Sequence, residues 1–152
     1  MPPRSPAQQA ALQASPDDTE AQFYEALQHA DLDHLMALWA DDDEVACVHP
    51  GGPRIVGLSA IRAAFAAVFE RGTVNVHPER VRRLVSGDCA IHHVLERVQL
   101  HAKGEPAAPT AWVIATNVYL KTALGWRLVL HHASPGNAGD VQELVADAGT
   151  LH

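Results

Sequence analysis

From Thr73 onward the apolar residues recur at every second position, and they keep that period through four successive runs, at about 73–85, 89–102, 110–121 and 125–134. Gly87-Asp88, Lys103-Gly104-Glu105 and Ala123-Leu124-Gly125 supply the turns between them. Runs joined so closely can pair only as an antiparallel meander, because a parallel return needs a long crossover. The helical periodicity lies almost wholly before Thr73, so the fold class is α+β rather than alternating α/β.

Three helices are expected ahead of the meander. Ser15-Pro16-Asp17-Asp18 carries the signature of a helix start: a serine cap, proline at the first helical position and acids at the positive end of the dipole. Phe23, Leu27 and Ala30 form the buried stripe of this helix. After a break near Asp31, the spacing of Leu32, Leu35, Met36 and Trp39 predicts a second helix. Ser59 is the expected cap of a third, whose stripe is Ile61, Phe65, Val68 and Phe69. Between the last two lies a short strand in which Val45, Cys47 and His49 share one face and Ala46 and Val48 the other. Pro50 cannot donate to a ladder and Gly51-Gly52 tolerate positive φ, so the strand turns there and leaves His49 at its end.

The chain of 152 residues is read as one domain at 16–134, preceded by a mobile leader at 1–15 and followed by a tail or short helix at 135–152, where Val141, Leu144 and Val145 have helical spacing. Cys47 and Cys89 sit inside apolar runs and are expected to be reduced, buried thiols. No apolar run reaches the length of a membrane span, the N-terminus lacks a signal-peptide pattern, and a cytoplasmic location with no membrane partner is the expectation. Of the eighteen acids ten precede Pro50, whereas every Lys and Arg except Arg4 lies between Arg54 and Arg127. The net charge is still −7, and no aromatic platform accompanies Arg80, Arg82 and Arg83, so no nucleic-acid partner is expected.

Helix, break, a helix ending in Trp39-Ala40-Asp41-Asp42, strand, proline-glycine corner, the helix opening Gly57 to Phe65, and a meander ending Gly125-Trp126-Arg127 together resemble the NTF2-like superfamily, in its SnoaL-like and ketosteroid-isomerase-like branch. The resemblance covers about 17–134. It implies a cone of three N-terminal helices against a curved, mainly antiparallel sheet. One scaffold of this kind hosts unrelated functions, so the reaction must be argued from the site.

In such isomerases the residue before the proline that ends the first strand is an aspartate base; the resemblance puts His49 there, and histidine takes protons near neutrality. It puts Asn117 where those enzymes carry an oxyanion-donating aspartic acid, and an amide also donates. Their oxyanion tyrosine corresponds most nearly to Phe23, with Tyr24 one residue off. Alternation then places Asn117, Ala115, Val113 and Tyr119 inward, with Trp112, Thr116 and Val118 outward. On the neighbouring strands the resemblance points Ile91, His93, Leu95, Val129 and His131 inward and His92, Val94, Glu96, Trp126, Leu128, Leu130 and His132 outward. A one-residue slip or a bulge exchanges the members of each pair.

The expected site therefore has His49 and Asn117 as catalytic residues and Trp39, Phe65, Phe69, Ile91, His93, Tyr119 and His131 as ligand-binding residues, around a small apolar ligand with a polar group. No histidine or carboxylate pair has a recognised ligand spacing, Asp41-Asp42-Asp43-Glu44 lacks an EF-hand pattern, and neither a metal nor a cofactor is expected. Two functions stay open at this point. One is an acid-base isomerase, dehydratase or cyclase acting next to a carbonyl. The other is a non-catalytic ligand-binding or dimerisation module, its histidines structural. Trp112, Val118, Trp126, Leu128 and Leu130, taken as outward, make a homodimer through the outer sheet face the expected assembly under both.

Overall fold

In the computed structural model, which describes residues 3–137 and 142–145, a curved six-stranded sheet is covered on one face by helices. The elements run α1 (Pro6–Leu12), α2 (Pro16–Gln28), α3 (Leu32–Ala37), β1 (Ala46–Val48), β2 (Arg54–Val56), α4 (Leu58–Arg71), β3 (Gly72–Ser86), β4 (Cys89–Ala102), β5 (Ala111–Thr122) and β6 (Gly125–Pro135). The sheet order is β2-β1-β6-β5-β4-β3. Among the named strands of the described residues only the β1–β6 pair is parallel, so the last strand of the meander returns alongside the first strand. The expected α+β cone is what the chain forms.

The helix starts show how local chemistry sets the frame. Ser15 Oγ accepts from Asp18 N at 3.0 Å, Pro16 opens α2, and Asp31 Oδ1 accepts from His34 N at 3.2 Å at the start of α3. The third expected cap is corrected: α4 begins at Leu58 behind Gly57, at φ 92°, with no side-chain cap, and Ser59 lies inside the first turn. Gly57 N instead donates to Val45 O at 2.9 Å, which ties the helix start to the strand that carries His49. The apolar faces of α2, α3 and α4 and the inner sheet face form one core through Phe23, Leu35, Trp39, Ile61, Val94 and Leu128.

The two ends of the chain and the proline-glycine corner add detail to the expected frame. The segment read as a mobile leader carries α1, and beyond it Gln13 is buried, its carbonyl accepting from Trp126 N at 2.7 Å. Gly125 makes this approach possible: a Cβ there would stand 2.7 Å from Gln13 O, at a φ of +98°. The proline-glycine corner leads into a strand, β2, that periodicity did not announce because it is three residues long. At the other end, Gln142 to Val145 are not helical, and Glu143 bonds Arg82 Nε at 2.9 Å; Val141 lies outside the described residues.

Candidate functional site

Residues directly opposite in neighbouring strands share a sheet face. Cys47 pairs with His131, His131 with Asn117, and Asn117 with His92, so these four side chains form a row across β1, β6, β5 and β4. All four are buried. Over the row lies α2, whose Glu20 and Tyr24, four residues apart, project from one side of the helix.

The result is a closed polar network inside an apolar core. Glu20 Oε2 accepts from Tyr119 Oη at 2.7 Å and from Asn117 Nδ2 at 3.4 Å, and lies 2.8 Å from His92 Nδ1. Tyr24 Oη donates to Glu96 Oε2 at 2.6 Å and accepts from Asn117 Nδ2 at 3.1 Å. Asn117 Oδ1 faces His131 Nδ1 at 2.5 Å. Burying so many polar groups is costly unless they satisfy one another, and here they do except at His92 Nε2, which is buried without a hydrogen-bond partner, 4.0 Å from Asp17 Oδ1.

His49 stands apart from that network, at the end of β1 and half-buried. Its ring packs edge-on against Phe65 at 4.9 Å between centroids, and Phe65 is followed by Phe69 at 6.2 Å. The Nε2 atom is buried and has no hydrogen-bond partner. Phe23 fills the space beside His131, ring to ring at 5.1 Å. Two surface depressions lie elsewhere: a shallow one of about 220 Å³ bounded by Met36, Leu58, Ser59 and Arg62, and a niche of about 30 Å³ beside Leu12, Gln13 and His34.

Burial dominates the electrostatics. It pushes the Glu96 carboxyl up to about 7, the Tyr24 hydrogen bond pulling it down somewhat and the neighbouring Glu20 charge adding to the rise. It drives His131 down to about 3, with help from His49 and His132, so His131 is neutral across the physiological range. His49 is lowered as well, by burial. The Cys47 thiol is pushed up to about 12 by burial and then by Glu96, which makes it unreactive. Cys47 and Cys89 are both free, Cys47 fully buried and Cys89 half-buried.

The structure gathers Trp39, His49, Phe65, Phe69, Asn117, Tyr119 and His131 on the helix-covered side of the sheet, and Phe69 is only partly buried. It separates Ile91 and His93 from them. On β4 the facing residues are Ala90, His92, Val94 and Glu96, with His93 exposed and Ile91 on the outer side opposite Val118, the reverse of the expected alternation. The cause is the register that sets His92 opposite Asn117, within reach of Glu20. On β6 an irregularity between Val118 and Tyr119 pairs Val118 with Leu130 but Tyr119 with Leu128, so Val129 is the extra residue. Leu128 and Trp126 therefore turn inward and leave the outer face that they were expected to share.

Glu20, Tyr24, His92 and Glu96 were missed. Tyr24, one residue off the expected tyrosine position, reaches the interior, because Phe23 and Tyr24 are both buried. The i, i+4 spacing of Glu20 and Tyr24 on the buried side of α2 was the signal that could have found them.

A cone of helices on a curved sheet, with polar groups from several strands converging under the first long helix, defines an NTF2-like protein. The chain matches the SnoaL-like domain family over residues 17–138, and it belongs to that family. Among solved structures, a putative calcium/calmodulin-dependent protein kinase type II association domain from Thiobacillus denitrificans is 38% identical, with TM-score 0.71 over 81% of this chain and 96% of that one. A putative dehydratase of the NTF2-like family from Streptomyces avermitilis is 28% identical, with TM-score 0.73 over 88% and 100%. A ketosteroid isomerase-like protein from Erwinia carotovora atroseptica, 20% identical with TM-score 0.67 over 84% and 96%, shares the fold. No curated protein matches the chain. No helix among the described residues is long and apolar enough to cross a membrane.

Proposed function

We propose that this is a small-molecule-binding SnoaL-like protein that removes a proton next to a carbonyl, in an isomerisation, dehydration or cyclisation, with His49 as the base. The observation that carries the reading is the unpartnered, buried Nε2 of His49 at the strand end. A histidine kept neutral by burial, with a lone pair committed to nothing else, is ready to accept a proton. Asn117 enters differently from the role expected for it. Its nitrogen is engaged by Tyr24 and Glu20, so its part is to hold His131 rather than to donate to an oxyanion. Trp39, Phe65 and Phe69 supply the apolar surroundings, and Tyr119 anchors the network behind them.

The test is deuterium uptake from heavy water into a panel of enolisable ketones and β-dicarbonyl compounds. The parent protein should catalyse uptake, and His49→Ala, matched for stability, should lose at least a hundredfold of it. Uptake that survives the substitution removes His49 from the role.

A second reading is a dimerisation module. The outer sheet face carries Trp112, Ile114, Val118, Leu120 and Leu130, with Ile114 and Leu120 37% and 41% exposed, and the 38% identical relative is described as an association domain. A second copy of this chain is the proposed cover. Sedimentation should show a dimer that Val118→Asp converts to monomer; a monomeric parent at high concentration rejects it.

A further inference from the structure

We infer that Asn117 is a positioning residue that locks His131 as its Nδ1–H tautomer and leaves Nε2 as a bare acceptor on the inner face. The inference concerns the buried network from which the proposed base His49 stands apart, and its test is spectroscopic and needs no turnover.

The orientation of the Asn117 amide follows from its neighbours. Reversed, it would set its carbonyl oxygen 3.4 Å from the Glu20 carboxylate oxygen, with repulsion in place of a hydrogen bond. It would also face the oxygen of Tyr24, whose proton is given to Glu96. The nitrogen must therefore point at Glu20 and Tyr24, and Oδ1 must point at His131 Nδ1. A carbonyl oxygen can only accept, so Nδ1 carries the proton. With His131 held neutral, Nε2 is left with a lone pair.

This arrangement gives each member of the network a purpose that packing alone does not. Glu20 is fixed by Tyr119 and His92, Tyr24 is fixed by Glu96, and together they determine which end of Asn117 meets the imidazole. A neutral imidazole in water favours the opposite tautomer, so the lock reverses an intrinsic preference. Whatever binds at Nε2 must then bring the proton, as an enol, a phenol or an acidic C–H does. No lysine or arginine is among the buried residues described, so the inner face offers nothing of that kind to hold a carboxylate.

The experiment is long-range ¹H–¹⁵N correlation on protein labelled with ¹⁵N-histidine, His131 being assigned from the spectrum of a His131→Gln variant. The parent should show Nδ1 of His131 in the pyrrole-like range and Nε2 in the pyridine-like range, without averaging, from pH 8 to 5. Asn117→Leu should shift Nε2 toward the protonated range or into averaging between tautomers. Asn117→Asp, protonated on the oxygen that takes the amide nitrogen's place beside Glu20 and Tyr24, keeps an acceptor toward Nδ1 and should restore the parent pattern at pH 5. An Nε2–H tautomer in the parent overturns the inference, as does an unchanged Nδ1–H signal in Asn117→Leu. Should the leucine variant not fold, the parent and the aspartate variant decide by the same criterion. A locked His131 in a protein that exchanges no substrate protons would reject the proposed reaction and leave the lock standing.

Discussion

Asn117 on β5 and His131 on β6 face each other across the sheet, with Oδ1 2.5 Å from Nδ1, and this contact joins the buried carboxylates beneath α2 to the end of the sheet where His49 lies. Two acids, two tyrosines and two histidines thus share one enclosed network. Its titration should govern how stability depends on pH.

On the alkaline side the controlling group is Glu96. Its folded pKa of about 7 lies above the ordinary 4.5, so the folded state holds its proton more tightly. The stability that this contributes is full below pH 4.5 and is lost as pH rises through 7, about 3 kcal/mol in all. Glu96→Gln should remove that decline, leaving the stability curve flat between pH 6.5 and 8 in urea titrations. A decline of the parent's size in the variant would show that the slope comes from other groups.

His131 works in the opposite direction. Its folded pKa of about 3 lies below the ordinary 6.5, so its contribution is full above pH 6.5 and is lost as pH falls toward 3. The whole effect is at most about 5 kcal/mol. Between pH 4.5 and 6.5 the two slopes oppose each other, and stability should peak there. His131→Leu, although destabilised by the unpaired Asn117 carbonyl, should lose the acid-side slope in the same titration.

Gly125 offers a check on the packing of the first helix. A β-carbon would meet Gln13 O at 2.7 Å, in a backbone conformation at φ +98° that side chains disfavour. Gly125→Ala should cost about 1–3 kcal/mol. It should also release α1, seen as protease cleavage near Gln13 at a rate well above the parent's. Equal cleavage rates would mean that α1 does not depend on this contact.

The frame was legible in the sequence because it rests on local signals: Ser15-Pro16 for α2, Asp31 for α3, and period two for the four long strands. The faces of β5 were legible too, since Asn117 sits among inward Ala115 and Val113. What escaped was whatever depends on a single residue of register. The extra Val129 turned Trp126 and Leu128 inward, and the pairing of His92 with Asn117 inverted β4 and sent His93 and Ile91 outward. Neither is written in alternation, because His-His and Leu-Val-Leu look alike from both faces. Glu20 and Glu96 were passed over because an isolated carboxylate is ordinarily a surface residue, and only partners from other elements make its burial tolerable.

The most direct test of the central claim is an NMR titration of the His49 ring, followed through its Cε1 proton and assigned by His49→Ala. A base kept neutral by burial, with Nε2 uncommitted, should titrate with a midpoint below 6.5, and the rate of deuterium uptake should fall with the same midpoint as pH is lowered. A midpoint at or above 6.5 would contradict the account, since it would mean that His49 is stabilised as a cation or fully solvated.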